Sequence, residues 1–368
     1  MKAPAEVGMR LEEVDTPALI LELDAFETNL QRLTDAVGRR VRVRAHAKTH
    51  KCPEIGKRQV AAGAVGVCCQ KVSEAEAMVD GGIADVLVSN EIVGARKLER
   101  LAALAKRARI GVCVDNADNV RDLAAAMQRA DAHIDVYIEL EVGMRRCGVA
   151  PGEPALALAK STAAPNLRFA GIHAYHGRAQ HIRSAEERRA VITNCSLHVK
   201  NTKTMLKEAG IACPIVTGAG SGTFMYEVEL GAWDEIQPGS YVFMDWDYAR
   251  NEWAPPMPRF EHALFVLATV MSRPNPALAV VDAGLKASSV DSGMPGVWER
   301  PGLSYTHASD EHGWVEIAAG AAAPGLGDKL LLVPGHCDPT VNLYDWYVCV
   351  RGGVVEALWP ITARGAFN

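Results

Sequence analysis

The sequence contains no C-x-x-C pair, and its nine cysteines are odd in number and scattered. This spacing excludes a zinc ribbon or a thioredoxin-like motif. With Cys113 and Cys349 inside apolar segments, the cysteines read as buried free thiols of a reducing, cytoplasmic protein. No apolar run approaches the roughly 20 residues needed to cross a bilayer. Residues 1–10 lack the charged and apolar regions of a signal peptide. The formal net charge is -5, and no Lys/Arg cluster with interleaved aromatics offers a field for nucleic acid. What remains is a 368-residue chain, 49% hydrophobic and 23% charged, enough for one large domain and a smaller one.

The stretch around which the rest is organised is Arg44-Ala45-His46-Ala47-Lys48-Thr49-His50-Lys51. It ends an alternating, strand-like run over 41–47, and Pro53 separates it from a helical segment. A lysine just past a buried strand, flanked by two histidines, is expected to be partly desolvated beside cationic groups. That lowers its pKa and makes it an amine nucleophile.

From residue 41 onward a β-then-α pattern recurs, with short apolar strands predicted over 41–47, 64–69, 86–89, 110–114, 134–142, 169–175, 214–217 and 235–243. Helical stretches lie between them; in 117–130, Val120, Leu123, Ala124 and Met127 form one apolar stripe. Strands apolar at nearly every position suit a parallel sheet covered on both faces. Eight such units predict a (β/α)8 barrel over residues 24–245, with a doubly wound open sheet as the alternative. After Trp246, alternating runs separated by Gly/Pro-rich turns predict a mostly antiparallel β domain over 246–368, joined by residues 1–23, where 18–23 read as a strand.

Polar residues cluster after the predicted strands: Lys48, Gln70, Asn90, Asp115, Arg145 and Arg146, then Tyr175, His176 and His181. In a barrel these ends form one face, where active sites sit. The seventh and eighth strand ends carry Thr217-Gly218-Ala219-Gly220-Ser221-Gly222-Thr223 and Gln237-Pro238-Gly239-Ser240-Tyr241. Two glycine-bearing loops with hydroxyls read as a phosphate cup, because glycine lets backbone N–H groups approach an anion. A lysine and a phosphate cup on a barrel suggest pyridoxal phosphate, an aldehyde that a lysine amine holds as a Schiff base.

The motifs His46–Lys51, Glu141-Val142-Gly143-Met144-Arg145-Arg146-Cys147-Gly148 and Gln237–Tyr241 resemble the fold-type III, alanine racemase-like pyridoxal-phosphate enzymes. Within that group the chain is most similar to the D-threonine aldolase and D-3-hydroxyaspartate aldolase family. The likeness runs from about Asp15 to the C-terminus and includes Tyr175-His176-Gly177, Gln180-His181, Asp282-Ala283-Gly284-Leu285-Lys286 and His336-Cys337-Asp338-Pro339-Thr340. The resemblance implies that Lys48 carries the cofactor, Arg146 contacts its phenolic oxygen and Tyr175 lies beside the ring. It assigns Gly220, Ser221, Gly222, Thr223, Gly239, Ser240 and Tyr241 to the phosphate site, and places Thr217 with Gln237 among the cofactor-binding residues. Alanine racemases carry an arginine two residues before the strand-eight glycine; here that position is Gln237, which does not oppose ring protonation as an arginine would.

In an extended chain His336 and Asp338 share a face and Cys337 points away. Imidazole plus carboxylate suits Mn²⁺, with Mg²⁺, Co²⁺ or Zn²⁺ as alternatives, and the neighbouring Cys337 keeps zinc open. The resemblance implies a metal at this H-x-D pair and a proton acceptor at His181. The implied reaction is metal-activated retro-aldol cleavage of a D-3-hydroxy-amino acid to glycine and an aldehyde, by a homodimer. The alternatives are a D-serine or D-3-hydroxyaspartate dehydratase, a non-catalytic pyridoxal-phosphate carrier, and a metal-dependent barrel enzyme without pyridoxal phosphate. The carrier reading fails to account for the large β domain and the H-x-D pair.

Overall fold

A computed structural model describes residues 2–368. Strand β1 (Ala18–Glu22) stays outside the barrel. The barrel closes through β2 (Arg42–His46), β3 (Gly66–Cys69), β4 (Asp85–Glu91), β5 (Arg109–Val114), β6 (Ile134–Glu139), β7 (Leu167–Ala174), β8 (Ile215–Gly218) and β9 (Glu235–Ile236), in sequence order. All ladders between neighbours are parallel, and β2 pairs with β9 to close the ring. The open-sheet alternative is thereby excluded.

Strand side chains alternate between two apolar environments, as the period of two requires. Cys68, Leu87, Cys113, Tyr137, Ala170 and Ile215 form their own cluster, while Val67, Cys69, Val86, Val88 and Val112 pack with the helices. The interior also holds charge at the closing seam. Arg44 donates to Glu235 at 2.9 Å and to Asp85 at 2.6 Å, with Arg44 and Glu235 almost fully buried.

The eighth barrel strand is much shorter than the predicted 235–243, and β6 stops before 142. Pro238 has no N–H to donate to a ladder, and Ser240–Val242 turns as a 3₁₀ helix instead. The carbonyl of Pro238 still accepts from His46 N–H at 3.0 Å, so this turn is fastened beside Lys48.

The second body is a nine-stranded sheet. It comprises β1 and β10 (Leu264–Asn275), β11 (Leu278–Val281), β12 (Gly296–Val297), β13 (Leu303–Ala308), β14 (Gly313–Ile317), β15 (Lys329–Val333), β16 (Trp346–Arg351) and β17 (Val354–Pro360). As expected, β1 joins it, running antiparallel to β10 and parallel to β16. Strands β12 and β13 do not follow from the sequence pattern. The two bodies meet over Lys48: Tyr347 Oη donates to His50 O at 2.7 Å, and Ala363 N–H donates to Lys51 O at 3.1 Å.

Candidate active site

At the C-terminal ends of the barrel strands lies a cavity of about 450 Å³. Its walls include Lys48, Arg146, Tyr175, His181, Gly220, Ser221, Gln237, Gly239, Ser240 and His336, drawn from the barrel and the β domain alike. Thr217, Gly222, Thr223, Tyr241 and Asp338 are not among its lining residues.

Lys48 ends in contact with Asp338 Oδ2, across the junction between barrel and β domain. This corrects the expectation of a depressed lysine pKa. Burial does push the amine down, but the Asp338 carboxylate outweighs it and the pKa is raised. The flanking histidines do not supply positive charge: burial holds His46 well below its ordinary value and His50 at about 4. The nearby Lys51 points elsewhere, into a buried ion pair with Glu74.

The two glycine loops are joined by Tyr241 N–H donating to Ser221 Oγ at 2.9 Å. A Cβ on Gly220 would stand 2.6 Å from Gln180 Oε1, and one on Gly239 would stand 2.5 Å from Thr49 Oγ1. Backbone here must therefore come close to its surroundings without side chains. Among the described residues, the N–H groups of Gly220, Ser221, Gly239 and Ser240 find no acceptor within the chain. Such a cluster of donors fits a phosphate. Gly222 N–H, by contrast, donates to Gln180 Oε1 at 2.9 Å. Thr223 donates to Glu227 at 2.8 Å, and the Tyr241 ring is buried, its hydroxyl accepting from Gln59 at 3.3 Å. These three shape the cup from behind.

Arg146 lies with its guanidinium 5.8 Å from the Tyr175 ring centre and donates to Glu139 at 3.3 Å. Gln237 is fixed at both ends. Its Nε2 donates to Thr217 Oγ1 at 2.7 Å, and Thr217 donates on to the ionised Glu235 at 2.8 Å. Because Thr217 must give its only proton to that carboxylate, it can only accept from Gln237. Gln237 Oε1 is left facing His173 Nε2 at 3.2 Å, which requires a proton on that nitrogen. Thr217 is thus an orienting group beneath the cavity.

The extended H-x-D geometry is not found. His336 is extended, with φ -145° and ψ 124°, but it caps a helical turn, Cys337–Val341. Pro339, in the first turn, favours this start, since its missing N–H would have had no intrahelical partner there. Cys337 is fully buried, and burial pushes its thiol well up, so it is not poised as a thiolate ligand. His336 donates from Nδ1 to the Asp291 carboxylate at 2.8 Å, which leaves Nε2 as the ring nitrogen with a lone pair to offer. Among the described residues, Asp338 Oδ1 is buried without a hydrogen-bond partner. A free imidazole nitrogen and an orphaned carboxylate oxygen fit a divalent cation. Burial alone would raise the Asp338 carboxyl, but Lys48 and His336 outweigh it and keep it ionised. Two other groups of three potential ligands exist, Cys113–Glu139–His173 and Glu91–Asp115–Cys147, and neither includes this pair.

His181 lines the same cavity, its Nδ1 2.7 Å from Asp247 Oδ2 and its ring 5.1 Å from that of Tyr248. Sequence reading missed Asp247, Tyr248, Asp291 and Ser89 as parts of this site, and placed Gln70 only as a polar residue at a strand end. Gln70 and Ser89 surround His46 Nε2 at 3.0 and 3.2 Å. The visible signal was the acidic run Asp245-Trp246-Asp247-Tyr248, placed where the barrel pattern ends.

Barrel, lysine, paired glycine loops and second β domain together define an alanine racemase-like protein. The chain belongs to the alanine racemase N-terminal domain family, which it matches over residues 21–246. Residues 263–350 match the putative serine dehydratase domain. More particularly, the chain is 50% identical to the D-threonine aldolase of Arthrobacter sp, over 98% of this chain and 96% of that protein. It is 48% identical to a 3-hydroxy-D-aspartate aldolase of Paracoccus denitrificans, with coverages of 98% and 95%. The crystal structure of D-threonine aldolase from Filomicrobium marinum superposes with a TM-score of 0.98 at 53% identity over 100% of both chains. The D-threo-3-hydroxyaspartate dehydratase of Delftia sp. is more distant, at 28% identity over 96% of each chain.

Proposed function

We propose that the protein is a pyridoxal-phosphate-dependent aldolase that cleaves D-3-hydroxy-amino acids of the D-threonine or D-3-hydroxyaspartate type to glycine and an aldehyde, acetaldehyde or glyoxylate. The observation that carries this reading is the convergence of Lys48, His181 and His336 on one cavity in a chain half identical to such aldolases along its whole length.

Lys48 is the residue that would hold pyridoxal phosphate. Arg146 and Tyr175 would flank its ring, Gln237 would face it, and the Gly220–Ser221 and Gly239–Ser240 backbones would receive its phosphate. When bound, this cofactor supplies an electron sink for the pair left on Cα as a carbon–carbon bond breaks. The protein's own task is then to orient the substrate and remove the proton of its β-hydroxyl. His181 stands on the cavity wall with Nδ1 engaged by Asp247, so Nε2 is the nitrogen that takes this proton. His336 and Asp338 would hold a divalent ion, Mn²⁺ by preference for imidazole and carboxylate donors. It would lower the hydroxyl's pKa as a Lewis acid.

The working unit we propose is a cytoplasmic homodimer, in keeping with fold-type III enzymes of this two-domain form and with nine unpaired cysteines. No described helix is long and apolar enough to cross a membrane. The deciding experiment is product analysis after incubation with D-threonine and with D-3-hydroxyaspartate, with and without Mn²⁺. Glycine plus aldehyde is expected; an oxo acid plus ammonia would assign the chain to the dehydratases instead.

A further inference from the structure

His181 belongs to the loop after β7, but the groups that hold its ring come from residues 245–248, between the two bodies. The carboxylate of Asp247 is buried and saturated. Oδ1 accepts from Arg183, and from Arg250 at 2.6 Å, while Oδ2 faces His181 Nδ1 at 2.7 Å. Burial would raise this carboxyl, but the bonds from Arg183, His181 and Arg250 hold it at about 2. An ionised carboxylate can only accept, so His181 Nδ1 must carry a hydrogen, and in the neutral ring Nε2 is then the nitrogen with the lone pair. Tautomer and ring direction are thus both fixed by this contact.

The same segment is fastened to the residues preceding His336. Trp246 N–H donates to Pro334 O at 2.9 Å and Asp247 N–H to Gly335 O at 3.3 Å. Asp245 accepts from Tyr248 N–H at 2.8 Å and from Cys337 N–H at 3.3 Å. Arg183 also donates to the backbone O of Asp247 and to the side-chain Oδ1 of Asn251, each at 2.7 Å. An ordinary surface ion cluster has no need of so many ties; these set the distance between the imidazole of His181 and that of His336.

We propose that Asp247 is a positioning residue: it holds His181 as the Nδ1–H tautomer, so that Nε2 is the base for the substrate hydroxyl, and it ties that base to the segment carrying His336. This inference rests on the reading of His181 as the proton acceptor.

The test uses the pyridoxal-phosphate- and Mn²⁺-loaded protein. Asp247→Asn keeps an oxygen for Arg183 and Arg250 but turns an NH₂ toward His181, which forces the hydrogen onto Nε2. The expected result is a fall in kcat for aldehyde release of about 10²–10⁴-fold, the span of a general base, with KM and the visible cofactor spectrum unchanged. His181→Ala should cost a similar factor, and adding Asp247→Asn to it should cost nothing more, since both changes remove one function. A purely structural Asp247 would lower the His181→Ala protein by the full factor again, which overturns the proposal. Wild-type kcat in Asp247→Asn, with His181→Ala impaired, overturns it while leaving the base reading intact. Wild-type kcat in His181→Ala removes both. Nitrogen-15 NMR of histidine-labelled wild-type protein is independent of any variant's folding: a hydrogen on Nδ1 of His181 is expected, and one on Nε2 alone would refute the assignment.

Discussion

The Nζ of Lys48 and Oδ2 of Asp338, 290 residues apart in sequence, form a hydrogen-bonded ion pair. The proposed cofactor anchor comes from the barrel and the proposed metal ligand from the β domain, so neither body holds the site alone. The contact also sets the charge state of the lysine, since the carboxylate outweighs burial and keeps the amine protonated.

If Lys48 is the anchor, Lys48→Ala abolishes the visible absorbance of bound pyridoxal, whereas Lys51→Ala retains it. Lys51 is engaged with Glu74 and does not line the cavity. Spectra of the two purified variants after incubation with pyridoxal phosphate decide the matter. Loss in the Lys51 variant with retention in the Lys48 variant would reverse the assignment.

The seam of the barrel offers a stability test that is read by unfolding rather than by turnover. Glu235→Gln takes a carboxylate from the buried Arg44 guanidinium, and breaking a buried pair costs about 3–5 kcal/mol; the bond from Arg44 to Asp85 moves the expectation to the lower end. Burial opposes the ionised form of Glu235, but Arg44 outweighs it and the pKa lies below its ordinary 4.5. Its stabilising contribution is therefore complete above pH 4.5 and is lost as pH falls through the lower, folded-state value. Urea midpoints measured against pH should show that acid-side loss in the wild type and a weaker one in the glutamine variant. Equal slopes would remove Glu235 as a source of acid sensitivity.

The barrel was legible because each β/α unit carries its own period and its own turn residues. Strand β9 was over-read because Tyr241, Val242 and Phe243 continue an apolar run after the chain has turned at Pro238. Lys48, the two glycine loops and His336 were legible as residue types following strands. Their electrostatics were not: the pKa of Lys48 depends on a carboxylate from the other body, which no local pattern reveals. The same holds for His181 and Asp247, 66 residues apart and joined by neither helical nor strand period. The extended backbone expected at Asp338 is replaced by a helical turn, because Pro339 favours the first turn of a helix as readily as it ends a strand.

Association is testable directly. Sedimentation of the loaded protein at micromolar concentration should give about twice the 39.5 kDa chain mass. A fully active monomer would withdraw the dimer from the proposal.

The metal provides the sharpest separation of functions. Chelation should abolish cleavage and leave the cofactor's visible spectrum intact, because Lys48 and the glycine loops do not depend on the ion. Asp338→Ala should reproduce chelation, since His336 alone is a poor site for Mn²⁺. It also removes the carboxylate that raises the Lys48 pKa, so capture of pyridoxal should persist in this variant. Asp338→Cys should shift preference toward zinc, thiolate being the softer donor, whereas the native Cys337 is buried and directed into the core. A purely structural loop would respond otherwise: Asp338→Ala would lower the melting temperature and turnover together, and added Mn²⁺ would restore neither in the chelated wild type. Full cleavage by protein shown metal-free by elemental analysis would leave His336 and Asp338 without the role proposed for them.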